Sequence, residues 1–362
     1  MKRLSLWRCL GSAAAALALT MLSVAASVTP ASAAGANVYT VTNLVSNVPG
    51  MAAHVDPDLV NAWGLTSLPT SPWWVADNGT NVSTLYRADG SKVPLTVQVP
   101  NAPTGAVSNT GSHFVVSNGT SSGPALFIFA TEEGKILGWN PNVSLTQAQV
   151  AVDHSGIGAV YKGLAIASTP AGDFLYATDF HNGRVDVFDG NFQQVNTPGA
   201  FVDPGIPRGY APFGIQNVNG TIVVTYAKQD AAAHDDVAGQ GHGFVDMFDA
   251  SGTFLERVAT HGQLNSPWGL AMAPASFGSF GGDLLVGNFG DGEISAFQPQ
   301  PDGTFLLVGQ LRTSEHKVLT IDGLWSLQFG KGAPNNGPTT TLFFTAGPNG
   351  EADGLFGTIT AG

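Results

Sequence analysis

Three things are scarce in this chain. Cys9 is the one cysteine among 362 residues, so no disulfide can form within the chain and burial must supply its stability. Only 11% of the residues are charged, with 14 bases against 26 acids and a net charge of −12. So few charges exclude a coiled coil or a solvated helical bundle, and the acidic balance argues against a surface that binds nucleic acid by neutralising phosphates. Beyond residue 33, no run approaches the roughly 20 apolar residues of a membrane span. No convincing amphipathic helix is present either, and G-x-S-x-G, H-E-x-x-H and P-loop patterns are all missing.

What the chain does have is 46 glycines, 9% aromatics and 43% apolar residues, a balance that excludes disorder. Lys2, Arg3 and Arg8 precede an apolar stretch from Cys9 to Val28 that ends at Ala31-Ser32-Ala33. That order predicts a Sec-type signal peptide over residues 1–33, removing Cys9, and a secreted, extracellular protein formed by residues 34–362.

A landmark then recurs through the chain: a small or aromatic residue pair, a glycine and an apolar residue, opening a short strand. It stands at Ala62-Trp63-Gly64-Leu65, Pro103-Thr104-Gly105-Ala106, Tyr161-Lys162-Gly163-Leu164, Pro212-Phe213-Gly214-Ile215, Pro267-Trp268-Gly269-Leu270 and Ile321-Asp322-Gly323-Leu324. The six glycines are 41 to 58 residues apart. Each landmark is followed by an apolar strand, a polar turn and another strand, which predicts four-stranded antiparallel sheets rather than a parallel α/β sheet. The expected fold is therefore all-β, a six-bladed β-propeller of four-stranded blades, with seven blades the competing count. The N-terminal strand-like segment Val38 to Asn43 has no unit of its own, and pairing it into the short last unit would complete that blade and cover a sheet edge.

The stretch Gly163 to Phe188, with its Asp-x-x-Asn-x-Arg-Val-x-Val-Phe core at Asp179 to Phe188, resembles an NHL repeat. The chain resembles a family of exported bacterial proteins with NHL-like propellers, whose wider relatives include binding modules, lactonases and lyases. Gluconolactonase-type propellers carry an early metal-binding glutamate, whereas the first unit here reads Asn61-Ala62-Trp63-Gly64, so that site does not carry over. The histidine ligands of the amidating-lyase branch do not align residue by residue.

In such a propeller, the connections entering the innermost strands and those joining the second and third strands share one face. Seven of the eight histidines fall in these connections, and His113 falls on the other face. Because imidazole is a common transition-metal ligand, His154, His181, His261 and His316 are the candidate metal ligands, for Zn or Cu, while the carboxylates at the ends of the second strands would suit Ca. The residues just before the landmark glycines should stand near the axis. Trp63, Lys162, Phe213, Trp268 and Asp322 are the candidate substrate contacts, with Lys162 facing Asp322 across the axis either as polar handles or as a structural ion pair. At the end of the second strands, Asp77, Glu132 and Asp179 are candidate general bases, or acids holding the following turn. The insertion Lys228 to Gly243, poor in apolar residues, is a candidate lid.

The expected function is a metal-assisted hydrolase or lyase acting on a small polar or carbohydrate-like substrate. The alternative is a non-catalytic propeller that binds a glycan, peptide or partner protein. A monomer without a membrane span is expected in either case.

Overall fold

The first strand among the described residues does not begin a sheet; it finishes the last one. The structure, a computed structural model, describes residues 37–362, so the expected signal peptide lies outside the described residues. Tyr39–Ser46 pairs antiparallel with Leu355–Ala361, the third strand of the sixth blade, and the short strand His54–Val55 runs parallel to it outside. Closing the ring between chain ends in this way removes a long exposed edge.

Five further sheets complete a six-bladed β-propeller. Blade 1 is Ala62–Thr66, Trp73–Asp77, Val82–Tyr86 and Lys92–Gln98. Blade 2 is Pro103–Ser108, Phe127–Thr131, Lys135–Trp139 and Gln149–Asp153, with a small ribbon, Val115–Ser117 and Ser122–Pro124, inserted after its first strand. Blade 3 is Tyr161–Thr169, Gly172–Asp179, Arg184–Asp189 and Gln194–Val195, and blade 4 is Tyr210–Val218, Thr221–Lys228, Phe244–Phe248 and Phe254–Thr260. Blade 5 is Pro267–Met272, Leu284–Asn288, Ile294–Pro299 and Phe305–Gln310; blade 6 opens with Leu324–Phe329 and Leu342–Ala346. Among the described residues the only helices are three single 3-10 turns.

Alternation of side chains along each strand explains why so many residues are apolar without a single central core. In blade 3, Leu175 and Ala177 pack toward blade 2 while Tyr176 packs toward blade 4. Six apolar layers result, one between each pair of neighbouring blades. Between blades 1 and 2, Trp74 stacks on Phe127 at 4.1 Å and meets Trp139 at 4.6 Å. Each such buried ring contributes on the order of 2 kcal/mol from area alone.

The innermost strands meet at the axis through a device repeated six times. Each carries a register break at the landmark, between Ala62 and Leu65 in blade 1 and between Tyr161 and Leu164 in blade 3, for example. A bulge of this kind re-aims one side chain, here toward the axis. The landmark glycine lets the next blade's backbone come close: a Cβ on Gly214 would lie 2.2 Å from the Trp268 carbonyl oxygen, and one on Gly64 would lie 2.4 Å from that of Thr104. The Thr178 hydroxyl accepts from the Gly163 N–H and donates to the Phe213 carbonyl of blade 4, tying neighbouring blades together.

The sixth landmark requires a correction. Leu324 pairs with Ala346 and Leu327 with Phe344, the pattern that Tyr161 makes with Asp179 and Leu164 with Ala177 in blade 3. Trp325 and Ser326 therefore hold the places of Lys162 and Gly163, and Asp322 does not. Gly323 is a turn glycine at φ 66°, where a Cβ would lie 2.2 Å from the Gly347 carbonyl oxygen.

Candidate functional site at the axis

Two rings of side chains converge on the axis from the face expected to carry function. The bulges supply Trp63, Thr104, Lys162, Phe213, Trp268 and Trp325. The residues one step past the matched end of each second strand supply Asn78, Glu132, Phe180, Ala227, Phe289 and Gly347.

Half of these residues form an aromatic plug. Trp63 stacks on Trp325 at 3.5 Å, Phe289 stacks on the other side of Trp325 at 3.9 Å, and Phe213 and Trp268 meet the stack edge-on. Trp63, Phe213 and Trp268 thus sit together near the axis as expected, but they pack on one another and fill the channel rather than forming the walls of an open pocket. The Trp268 indole N–H donates to the Lys162 carbonyl, whereas the buried Trp63 indole N–H has no protein partner among the described residues.

Four of the remaining ring residues, Asn78, Thr104, Glu132 and Lys162, are polar. Lys162 is 1% exposed; its ammonium lies 5.3 Å from the Trp63 ring centre and bonds to Glu132, and to Asp235 at 3.0 Å. Asn78 donates to the other Glu132 oxygen at 2.9 Å, Asn61 donates to Asn78 at 3.2 Å, and Asn61 also donates to Glu351 at 2.6 Å. The Trp325 indole N–H donates to the Asn61 oxygen at 3.1 Å, joining this chain to the plug. Asn61 and Glu351 both adopt left-handed backbone, at φ 47° and 68°. That conformation is uncommon for glutamate and collects at functional sites.

The electrostatics follow from burial and surplus acid. Burial alone would lower the Lys162 pKa, but the facing carboxylates of Glu132 and Asp235 outweigh it and the pKa is raised. Asp235, opposed to that ammonium, is held below the usual carboxylate range despite the burial that works against it. Burial pushes Glu351 up, and the nearby charges of Glu132 and Asp235 add to this. Burial also raises Asp236, whose Oδ2 has no partner among the described residues.

Asp235 belongs to the Lys228–Gly243 insertion, which folds over the axis. Val237 N–H donates to Lys228, Gly241 N–H to Leu264, and Gly239 N–H to the Asn265 side chain at 2.6 Å. His234, next in line, bonds to Asp235 at 2.9 Å. One ligand atom each from Glu132, His234 and Asp235 lie within 4.8 Å of one another, the only such group of three His, Cys, Asp or Glu among the described residues.

Of the expected bases, only Glu132 reaches this cluster. Asp77 is fully buried, accepts the Thr84 N–H and hydroxyl, and is pushed well up by burial. Asp179 caps its own turn, accepting from Val160, Asn182 and the Asn182 side chain, and burial raises it too. Asp322 does not face Lys162: it accepts the Asn349 N–H at 2.9 Å beside a separate hollow lined by Met51 and Pro348. Lys162 finds its acids in Glu132 and Asp235 instead.

The four expected metal ligands are held in different surroundings, and none belongs to the three-ligand group. His154 bonds to the Tyr161 hydroxyl at 2.7 Å and packs on Phe188; His261 bonds to the Gly241 carbonyl and packs on Phe244. His181 lies beside Gly158, and the His316 carbonyl accepts from Arg312. Asn61, Asn78, His234, Asp235, Trp325 and Glu351 were not among the expected contacts. Advancing the second-strand ring by one residue would have found Asn78, which stands where Glu132 does.

The fold and this axial cluster define a six-bladed β-propeller with a charged centre. No family model matches the chain. It is 34% identical over 329 residues to an uncharacterized protein of Acanthamoeba polyphaga mimivirus, covering 87% of this chain and 78% of that one. A second uncharacterized protein of the same virus is 34% identical over 339 residues, covering 89% and 85%. The chain belongs to the family of these mimivirus proteins. Among solved structures it is similar to a glucose dehydrogenase (14% identity, 89% of this chain and 100% of that one, TM-score 0.53). It is also similar to a putative gluconolactonase (16%, 90% and 93%, 0.52) and to virginiamycin B lyase from Staphylococcus aureus (13%, 89% and 99%, 0.50). At these identities the likeness establishes the fold.

Proposed function

We propose that the axial cluster is the active site of a hydrolase or lyase acting on a small, hydroxyl-bearing, carbohydrate-like molecule. The observation that carries this reading is one partly buried network holding two carboxyl groups in different surroundings. Glu132 is paired with an ammonium, while burial and nearby acids push Glu351 toward its protonated form, with two carboxamides between them. Base and acid held apart in this way are what proton transfer at a carbon or a leaving oxygen requires. Glu132 takes the proton, Glu351 returns one, and the Lys162 ammonium steadies negative charge that develops on a substrate oxygen. Asn61 and Asn78 address hydroxyl groups, and the indole stack floors the site. The insertion excludes water while Asp235 holds Lys162.

Glu132, His234 and Asp235 suit a divalent cation in donor type, and the surplus of acid over Lys162 favours one. When bound, such an ion supplies an electrophile for a substrate oxygen. The same fold in a putative gluconolactonase and in virginiamycin B lyase supports the reaction class and not the substrate. The basic start, apolar run and Ala31-Ser32-Ala33 of residues 1–33 support action outside the cell.

The test is turnover of sugar lactones, read by acid release, and of uronate oligosaccharides, read by the ultraviolet absorbance of the double bond a lyase leaves. Each is run after chelation and after adding back Zn, Cu or Ca. Turnover lost in Glu132→Gln and kept in Asp77→Asn supports the reading. Sugar binding without turnover replaces it with a binding propeller, and turnover unchanged in Glu132→Gln overturns it.

A further inference from the structure

The opposite end of the axis holds a second cavity, of about 350 Å³, below the aromatic plug. The inner strands of five blades reach it, through Thr66, Ser108, Ile166, Gln216 and Gln328 among others. No aspartate or glutamate lines it, although the chain carries 26 acids. Its one charged group is Lys331, which makes no ion pair among the described residues.

Lys331 is exposed at the rim, but its ammonium turns inward to the carbonyl oxygen of fully buried Ser67, which also accepts the Ser108 hydroxyl at 3.0 Å. Its loop is fixed in place. The buried Asn336 side chain accepts the Lys331 N–H and donates to the carbonyls of Leu68, Pro69 and Ser71 in the neighbouring blade. The side-chain amides of Gln216 and Gln328 bond to no protein group among the described residues, while both residues are half-buried. A cation without a counter-ion and two unused carboxamides thus line a hollow of the size that takes a small ligand.

We propose that this cavity is a binding site for a small hydroxylated monocarboxylate, its carboxylate on Lys331 and its hydroxyls on Gln216 and Gln328. Two features of the hollow select that class. A lone ammonium attracts an anion where no acid competes, and carboxamides with Thr66 and Ser108 hydroxyls both donate to and accept from alcohols. Crowding by protein atoms lowers the Lys331 pKa, so a bound carboxylate, by favouring the charged form, takes up a proton on basic solutions and binds less as pH rises. The site stands apart from the axial cluster on the other face and does not depend on that cluster's chemistry.

Calorimetric titration with D-glucuronate, with D-glucose as the neutral control of similar size, tests this. Glucuronate is expected to bind one to one and at least tenfold more tightly than glucose. Lys331→Gln, a rim substitution that leaves the core intact, should weaken glucuronate at least tenfold, and Gln216→Leu should weaken it several-fold. Lys317→Gln, at an exposed lysine that does not line the cavity, should leave it unchanged. Equal binding of glucose, unchanged binding in Lys331→Gln, binding lost in Lys317→Gln instead, or no binding of glucuronate would each overturn the proposal.

Discussion

The axis of this propeller has two unlike arcs built on the same repeated bulge. On the side of blades 1 to 3, the converging residues are Asn78, Glu132 and Lys162, linked by hydrogen bonds to Asn61, Glu351 and Asp235. On the side of blades 4 to 6 they are Phe213, Trp268, Phe289 and Trp325, stacked with Trp63 and Phe180. The backbone asks the same of both arcs: a register break and a close approach by the next blade. Side-chain chemistry alone separates an arc that seals the ring from one that gathers charge. On the proposed reading both arcs contribute stability while turnover rests on the polar arc alone, and substitutions can test that division.

Lys162→Met breaks the polar arc most severely. It leaves Glu132 facing Asp235 without their shared cation; losing one partner of a buried pair costs on the order of 3–5 kcal/mol, and turnover is expected to vanish with it. Denaturant unfolding and the lactone assay check both. Trp325→Ala breaks the other arc. The void left by a buried indole costs about 3–5 kcal/mol, with turnover changed far less once the protein is held below its melting temperature.

A smaller effect concerns the lid. Asp235 is held below the usual aspartate range by Lys162, so the clamp is fully present above that range and is lost as pH falls through the lowered pKa. Limited proteolysis within 228–243 should quicken at acid pH, and Asp235→Asn should show the same quickening at neutral pH. A lid that is cut equally fast in both proteins at every pH would contradict the clamp. The smallest effect has the opposite sign. Glu351 has a raised pKa, so its ionised form opposes folding and stability is lost as pH rises from the ordinary glutamate range through the raised value. Glu351→Gln should thus raise Tm at neutral pH, by about 1 °C, while lowering turnover.

The aromatic arc and the ring count were legible because they are local. The landmark marks the bulge, and Trp63, Lys162, Phe213 and Trp268 follow from it by position. Trp325 escaped because Gly323, a turn glycine three residues early, imitates the landmark while Ser326 takes the glycine's place in the strand. The polar arc was only half legible. Glu132 follows the repeat, but Asp235 and Glu351 arrive through loop paths that no periodicity encodes. The histidines show a different limit. Connections on one face spread over a whole disc, and His154 and His261 lie out beside Phe188 and Phe244 of third strands. Sharing a face did not bring them to one point.

The division of the axis is tested most directly by measuring kcat and Tm together for Glu132→Gln and Trp325→Leu. With Glu132→Gln, kcat should fall at least a hundredfold, in line with loss of a general base, while Tm falls less than in Trp325→Leu because Asp235 still pairs with Lys162. With Trp325→Leu, Tm should fall by several degrees while kcat stays within a few-fold of the parent. The reverse pattern, or both quantities falling together in both variants, would contradict the account.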